Sequence, residues 1–218
     1  MSSKIQLYTL GTPNGQKASI ALEEMDIPYD LHRIDIGKGD QKKPDFLKIN
    51  PNGKIPAIVD PSSADGKPLA IMESGAILVY LAEKSGKFLS TNPRLRSETL
   101  QWLFFQVGGV GPMFGQFGHF YKHAADKCDH PYPKQRYAEE TQRLLGVLNT
   151  HLEGRKFLVG DEYSIADMAT VPWVNALTEF YEAEEILKIK DFKNVNAWTK
   201  RVSERPKTAA GMKVASVK

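Results

Sequence analysis

Strand-like alternation in this chain is confined to the first 86 residues, and beyond them almost every periodic stretch is helical. A chain whose strands are all gathered at one end folds as a small α/β layer followed by a helical body. Residues 4–9 (Lys-Ile-Gln-Leu-Tyr-Thr) alternate as a strand does, and Gly11 to Gly15 break the run. From Gln16 the period becomes helical, with Ala18, Ala21, Leu22 and Met25 on one face and Glu23 and Glu24 turned outward. Residues 27–36 are β-rich, and a polar stretch follows in which "PDFLKIN" holds one helical turn. "IPAIVD", 55–60, reads as a buried strand opened by Pro56, and "PLAIMES", 68–74, as a second buried strand reached through a turn at Asp65-Gly66. An amphipathic helix runs from Ser74 to a C-cap at Gly86.

Residues 87–93 read as a linker ending in a helix-start proline. Residues 94–126 are helical at both ends and interrupted by Gly108-Gly109 and Gly111-Pro112, because a proline within a helical pattern kinks or ends the helix. A strong amphipathic helix covers 132–154 and ends at Gly154. Ser164 opens the next, with Asp167 three residues on as a variant of the capping box. "NVNAWTKRVSERP" gives a last helix closed by Pro206. The expected domains are therefore 1–86 and 94–218 around that linker.

Composition narrows the chemistry. A net charge of +3 with scattered lysines excludes a phosphate-backbone binder, so no nucleic-acid partner is expected. The single cysteine, Cys128, excludes an intrachain disulfide framework and a cysteine-rich zinc site. With no apolar run of signal or membrane-span length, no membrane partner is expected and the expected location is the cytoplasm.

Two junctions carry candidate chemistry. Pro56 is either the start of an edge strand or a cis-proline that presents the N–H and C=O of Ile55 to a peptide-like ligand. Ser74, at a helix N-terminus, is either a cap or a hydrogen-bond partner for a ligand carboxylate, with Glu73 beside it to receive an ammonium. His119 and His123 stand at a metal-ligand spacing with no third ligand in sight, so they read as surface or pocket-lining histidines and no metal is expected. Cys128 reads as an incidental loop thiol. The Gly108-Gly109…Gly111 cluster lacks the flanks of a phosphate loop.

The order of these features resembles the soluble glutathione transferases, through "KIPAIVD", "ESGAILVYLAEK" and "YSIADM". "TPNGQK", "DIGKGDQKKPDFLKINPNGKIPAIVD", "LQWLFFQVGGVGPMFGQ" and "QRYAEETQRL" are similar to the bacterial nu class, a relative of the fungal nitrogen regulator. The resemblance implies a thioredoxin-like domain (β-α-β-α-β-β-α with a cis-proline), then an all-helical domain, in a homodimer. It implies reduction of disulfides by glutathione, with two glutathiones or glutathione disulfide in one site, no catalytic cysteine, and only weak conjugating or peroxidase activity. On the same ground Thr12 and Asn14 fall at the sulfur, and Gln41 and Lys54 at the glycine end. Ile55 beside Pro56 pairs with the cysteinyl backbone, Glu73 and Ser74 hold the γ-glutamyl end, and Arg136 reaches a second glutathione. Tyr8 is the competing thiolate partner, as several transferase classes use a tyrosine near the end of this strand. Two other functions stay open: conventional conjugation of hydrophobic electrophiles, and non-enzymatic glutathione-dependent regulation.

Overall fold

The computed structural model describes residues 4–124 and 126–216. They form two compact units, one made of the residues up to Leu89 together with those from Arg205 onward, the other of Ser90–Glu204.

The first unit runs β1 (Ile5–Thr9), α1 (Pro13–Met25), β2 (Tyr29–Arg33), α2 (Pro44–Ile49), β3 (Ala57–Asp60), β4 (Leu69–Met72) and α3 (Ser74–Ser85). Its sheet has the order β2-β1-β3-β4, with β1 parallel to β2, and β3 antiparallel to both β1 and β4. This is the thioredoxin-like order expected from the sequence. Ile5, Leu7 and Thr9 point to a face where Ile20, Leu22, Ile77, Leu78 and Leu81 complete a core closed to solvent. Burying one such aliphatic side chain is worth about 1.5–3 kcal/mol, so this stripe is the main reason that α1 and α3 lie on that face. β4, expected to be buried, is half open: Leu69 and Met72 are 41% and 38% exposed. An edge strand is hydrogen-bonded along one side only, and an apolar run does not reveal which strand takes the edge.

The C-terminal residues return to this unit. Pro206 does not close the last helix. It opens another, α9 (Pro206–Lys213), at a first-turn position where a missing N–H costs nothing. α9 lies against α1 so closely that a Cβ on Gly211 would stand 2.5 Å from the Ile20 Cα. That contact reverses the expectation for Glu24, which is 4% exposed. Arg205 grips it through two nitrogens at 2.9 and 2.8 Å, and Thr208 Oγ1 donates to it at 2.7 Å. Burial opposes its charge, but these donors outweigh burial and hold the carboxyl below its ordinary range.

The second unit contains α4 (Pro93–Phe105), α5 (Gly111–Gly118), α6 (Pro131–His151), α7 (Ile165–Glu179) and α8 (Lys193–Ser203). The expected interruption between α4 and α5 does not occur. Residues Gln106–Val110 form a π-helical turn, and the chain stays helical through to a second one at His119–His123. A π turn skips one residue in the hydrogen-bond ladder. It therefore absorbs a proline that has no N–H and whose ring needs the preceding turn moved aside. α6 ends at His151, three residues before Gly154. Ser164 and Asp167 make the capping box expected from their spacing. Among the described residues, no helix is long and apolar enough to cross a membrane.

Candidate active site

Strand register gathers candidate residues of the first unit at one end of the strands. Ala57, which opens β3, pairs with Tyr8 near the end of β1 and with Met72 at the end of β4. The residues that follow β1 (Leu10 to Asn14), precede β3 (Lys54 to Pro56) and follow β4 (Glu73 and Ser74) therefore leave the sheet at the same end.

Thr12 is the N-cap of α1, and its Oγ1 accepts from the Gly15 N–H at 3.2 Å. Accepting this bond uses a lone pair and leaves the hydroxyl proton to be donated elsewhere. Pro13 takes the first helical position, and no acidic residue stands in the first turn to cancel the positive end of the helix. Gly15 cannot carry a side chain, because a Cβ there would collide with the Leu10 carbonyl oxygen. Thr12, Pro13 and Asn14 are all half-buried, so the turn presents a hydroxyl and an amide at a helix start. Tyr8 lies on the other face of β1 from Leu7 and Thr9. Its ring stacks on His32 with centroids 4.5 Å apart and meets Phe46 of α2 edge-on at 6.3 Å. Burial raises its pKa, keeping it a neutral phenol.

The Ile55–Pro56 bond is cis, and the strand it precedes, β3, is paired on both sides, so Pro56 does not open an edge strand. Asn50 organises the approach to it: its Nδ2 donates to the Lys54 carbonyl at 2.7 Å, and its Oδ1 accepts from Asn52 N at 3.0 Å. Lys54 is exposed and Ile55 half-buried. The Gln41 amide donates to the Ile36 carbonyl at 3.3 Å, while its Oε1 is buried with no hydrogen-bond partner among the described residues. That oxygen suits an N–H donor rather than a carboxylate.

Glu73 and Ser74 meet the start of α3 under strain. Glu73 has φ +68° and ψ +117°, outside the region that side chains with a Cβ adopt freely, and its carboxylate is exposed 3.5 Å from Asn52 Nδ2. Such a backbone costs on the order of 1–3 kcal/mol and persists where the surroundings impose it. Glu73→Gly is accordingly expected to raise stability by about 1 kcal/mol. Chemical denaturation measures the change, and a loss of stability would contradict the strain at this residue.

Ser74, 9% exposed, accepts from a residue the sequence reading did not single out. Lys17 Nζ donates to Ser74 Oγ at 3.2 Å, and Lys17 itself is 1% exposed. Burial pushes its pKa down to about 7 against the pull of the Glu73 carboxylate. Its spacing was a usable signal, since Lys17, Ala21 and Met25 fall four apart along the buried side of α1.

In the helical unit, Arg136 is exposed on α6. Cys128 is half-buried in the loop before α6, its Sγ 3.9 Å from the His130 carbonyl oxygen. His119 packs edge-on against Phe120 and His123 against Tyr181. Among the described residues, no group of three or more His, Cys, Asp or Glu side chains is placed to hold a metal ion.

Comparison with known proteins agrees with this layout. Residues 12–84 match the family model for the glutathione S-transferase N-terminal domain, and residues 120–206 match that for the C-terminal domain. The disulfide-bond oxidoreductase YfcG of Escherichia coli K12 is 52% identical over 209 residues, covering 95% of this chain and 94% of that protein. A glutathione transferase from Burkholderia graminis, solved with two glutathione molecules bound per subunit, superimposes with a TM-score of 0.95 at 50% identity, over 97% of this chain and 88% of that one. One from Pseudomonas putida, solved with one glutathione disulfide per subunit, gives 0.95 at 48% identity, over 97% and 92%. A thioredoxin-like unit, a helical unit and full-length relatives at this identity lead to one conclusion: the chain belongs to the glutathione S-transferase family.

Proposed function

We propose that this protein reduces disulfides with glutathione, binding two glutathiones or glutathione disulfide without a catalytic cysteine of its own. The observation that carries the reading is the start of α1, where Thr12 and Asn14 stand at a helix N-terminus and no cysteine is present in the turn. The similarity to a disulfide-bond oxidoreductase and to transferases solved with two glutathiones or with the disulfide supports it.

The nucleophile then comes with the ligand. A thiol of pKa about 8.5 is mostly protonated at neutral pH. A hydrogen bond to the thiolate is worth about 1.5–3 kcal/mol, or about one to two pKa units if made only to the anion. Thr12, Asn14 and the end of α1 supply that stabilisation. The thiolate attacks one sulfur of the substrate disulfide, the S–S bond breaks, and the departing thiolate takes a proton. A second glutathione thiolate then attacks the mixed disulfide and forms glutathione disulfide, so two glutathiones and one disulfide yield two free thiols. Glu73 and Ser74 hold the γ-glutamyl end, Ile55 pairs with the cysteinyl backbone beside Pro56, and Gln41 and Lys54 lie at the glycine end. Arg136 is the contact for the second glutathione.

The physiological form is a homodimer in the cytoplasm. An outward groove on α4, lined by Arg96, Leu100 and a Phe104 that is 67% exposed, supports association of two copies. The deciding experiment compares turnover of a small mixed disulfide with turnover of a chloronitroaromatic, both with glutathione. Disulfide turnover is expected to dominate by at least about tenfold, roughly 1.4 kcal/mol in barrier. The opposite order would make the protein a conjugating transferase, and no turnover of either would make it a regulator.

A further inference from the structure

A lysine with 1% of its surface exposed sits beneath the γ-glutamyl end of the proposed site, and the exchange chemistry gives it no task. Ion burial of this kind is costly, and a methionine would fill similar space without the charge. Its placement is specific. Lys17 leaves α1 toward the first residue of α3, donates to Ser74 Oγ at 3.2 Å, and lies within the field of Glu73. At the start of α9, which also packs on α1, the cations are engaged elsewhere: Arg205, its N-cap, on Glu24, and Lys207 on Asp26, while Lys213 stands in its last turn.

A hydroxyl that accepts from an ammonium still has its own proton, and donates it on the side away from the lysine. Ser74 therefore presents a donor backed by a buried cation, next to the N–H groups that open α3. An anion answers that arrangement and a neutral group does not. We propose that Lys17 determines specificity for the α-carboxylate of the γ-glutamyl group, orienting Ser74 as a donor and supplying, one hydroxyl away, the positive charge that the carboxylate meets. This rests on the assignment of Ser74 to the γ-glutamyl end.

The arrangement links binding to a proton. Burial lowers the Lys17 pKa to about 7, and a carboxylate arriving beyond Ser74 favours the charged form and raises it again. At pH 7.5 binding then takes up about half a proton. Affinity is greatest below pH 7 and falls as the pH rises, because the free protein loses that proton before the complex does.

The test uses S-methylglutathione, whose blocked sulfur contributes no ionisation, and an analogue in which hydrogen replaces the γ-glutamyl α-carboxylate. Both are titrated calorimetrically into the whole protein at pH 7.5, in two buffers of different ionisation enthalpy. The unmodified protein is expected to prefer S-methylglutathione by about 50-fold and to take up about half a proton with it, but none with the analogue. Lys17→Met is expected to cut the preference below about fivefold and to abolish the uptake, with no fall in melting temperature because a buried charge is gone. If Ser74→Ala leaves affinity unchanged and the unmodified protein binds both compounds alike, the assignment of the γ-glutamyl end fails and the proposal with it. If Ser74→Ala weakens binding while Lys17→Met keeps the full preference, the assignment stands and the role of Lys17 is overturned. Absence of proton uptake in the unmodified protein overturns that role even if Lys17→Met does not fold.

Discussion

Replacing Thr12 and Asn14 together by alanine is expected to lower disulfide turnover about 1000-fold while glutathione still binds. Two hydrogen bonds to a thiolate, each worth about 2 kcal/mol, sum to about 4 kcal/mol of lost stabilisation. The contacts proposed at the γ-glutamyl and glycine ends are untouched by the change, so binding persists, and S-methylglutathione, which has no thiolate to stabilise, should keep its dissociation constant within about fivefold. The pH dependence of kcat adds a readout that general damage does not mimic. Its lower limb, which reports ionisation of the bound thiol, should climb toward the free-thiol value of about 8.5. Thr12 also caps α1 through Gly15 N, so its loss costs about 1 kcal/mol of stability as well. Thr12→Ser keeps both the cap and the hydroxyl and should retain most of the activity. Full turnover in the double variant would remove these residues from the mechanism. A comparable loss in Tyr8→Phe would transfer the role to the phenol, whose ring now packs on His32 and Phe46.

Asp167→Ala is expected to be the most damaging single change to the fold, at about 4 kcal/mol. The Asp167 carboxylate is fully buried and accepts from Leu158 N at 2.9 Å, Ser164 N at 3.0 Å, Trp198 Nε1 at 2.8 Å and Ser164 Oγ at 3.2 Å. Alanine strands those donors in a dry interior, at about 1–3 kcal/mol each before relaxation. The loss depends on pH in a direction the site dictates. Burial pushes the carboxyl up to about 6 even though all four donors favour its anion. A folded-state pKa above the unfolded value near 3.9 means that the folded form holds the proton longer, so this group's contribution falls as the pH rises from about 4 through 6. The gap between unmodified protein and variant should therefore be wider at pH 5 than at pH 7.5. Urea denaturation at the two values measures it, and a gap that widens toward pH 7.5 would contradict the shifted carboxyl.

Asp167 also illustrates what a linear reading captures. Its partnership with Ser164 lies within one helical turn, so residue type and spacing predicted the capping box. The bonds from Leu158 and Trp198 come from 9 and 31 residues away and leave no local trace. The candidate site divides in the same way. Thr12 as a cap, Pro13 at the helix start, the Ile-Pro step and the Glu-Ser step are local signals, each tied to a backbone need that few residue types meet. Lys17 looked like one more solvated lysine, because its partner Ser74 is 57 residues on. Glu24 looked like surface, because α9 arrives from the far end of the chain to cover it.

By itself, the sequence determined the order of the strands and of the helices up to Pro206, the places where most of them start, the absence of a cysteine nucleophile at the start of α1, and the family. These follow from periodicity, from caps and from the dihedral limits of proline and glycine, which act over a few residues. Only the tertiary structure decided that β4 lies at an edge, that Pro112 is absorbed by a π turn, that Pro206 opens a helix that returns to α1, and that a lysine lies beneath Ser74. Each of these depends on which distant segment supplies the next hydrogen bond or covers the next apolar face. That choice is made by the free energy of the packed chain as a whole, and no short window of residues contains it.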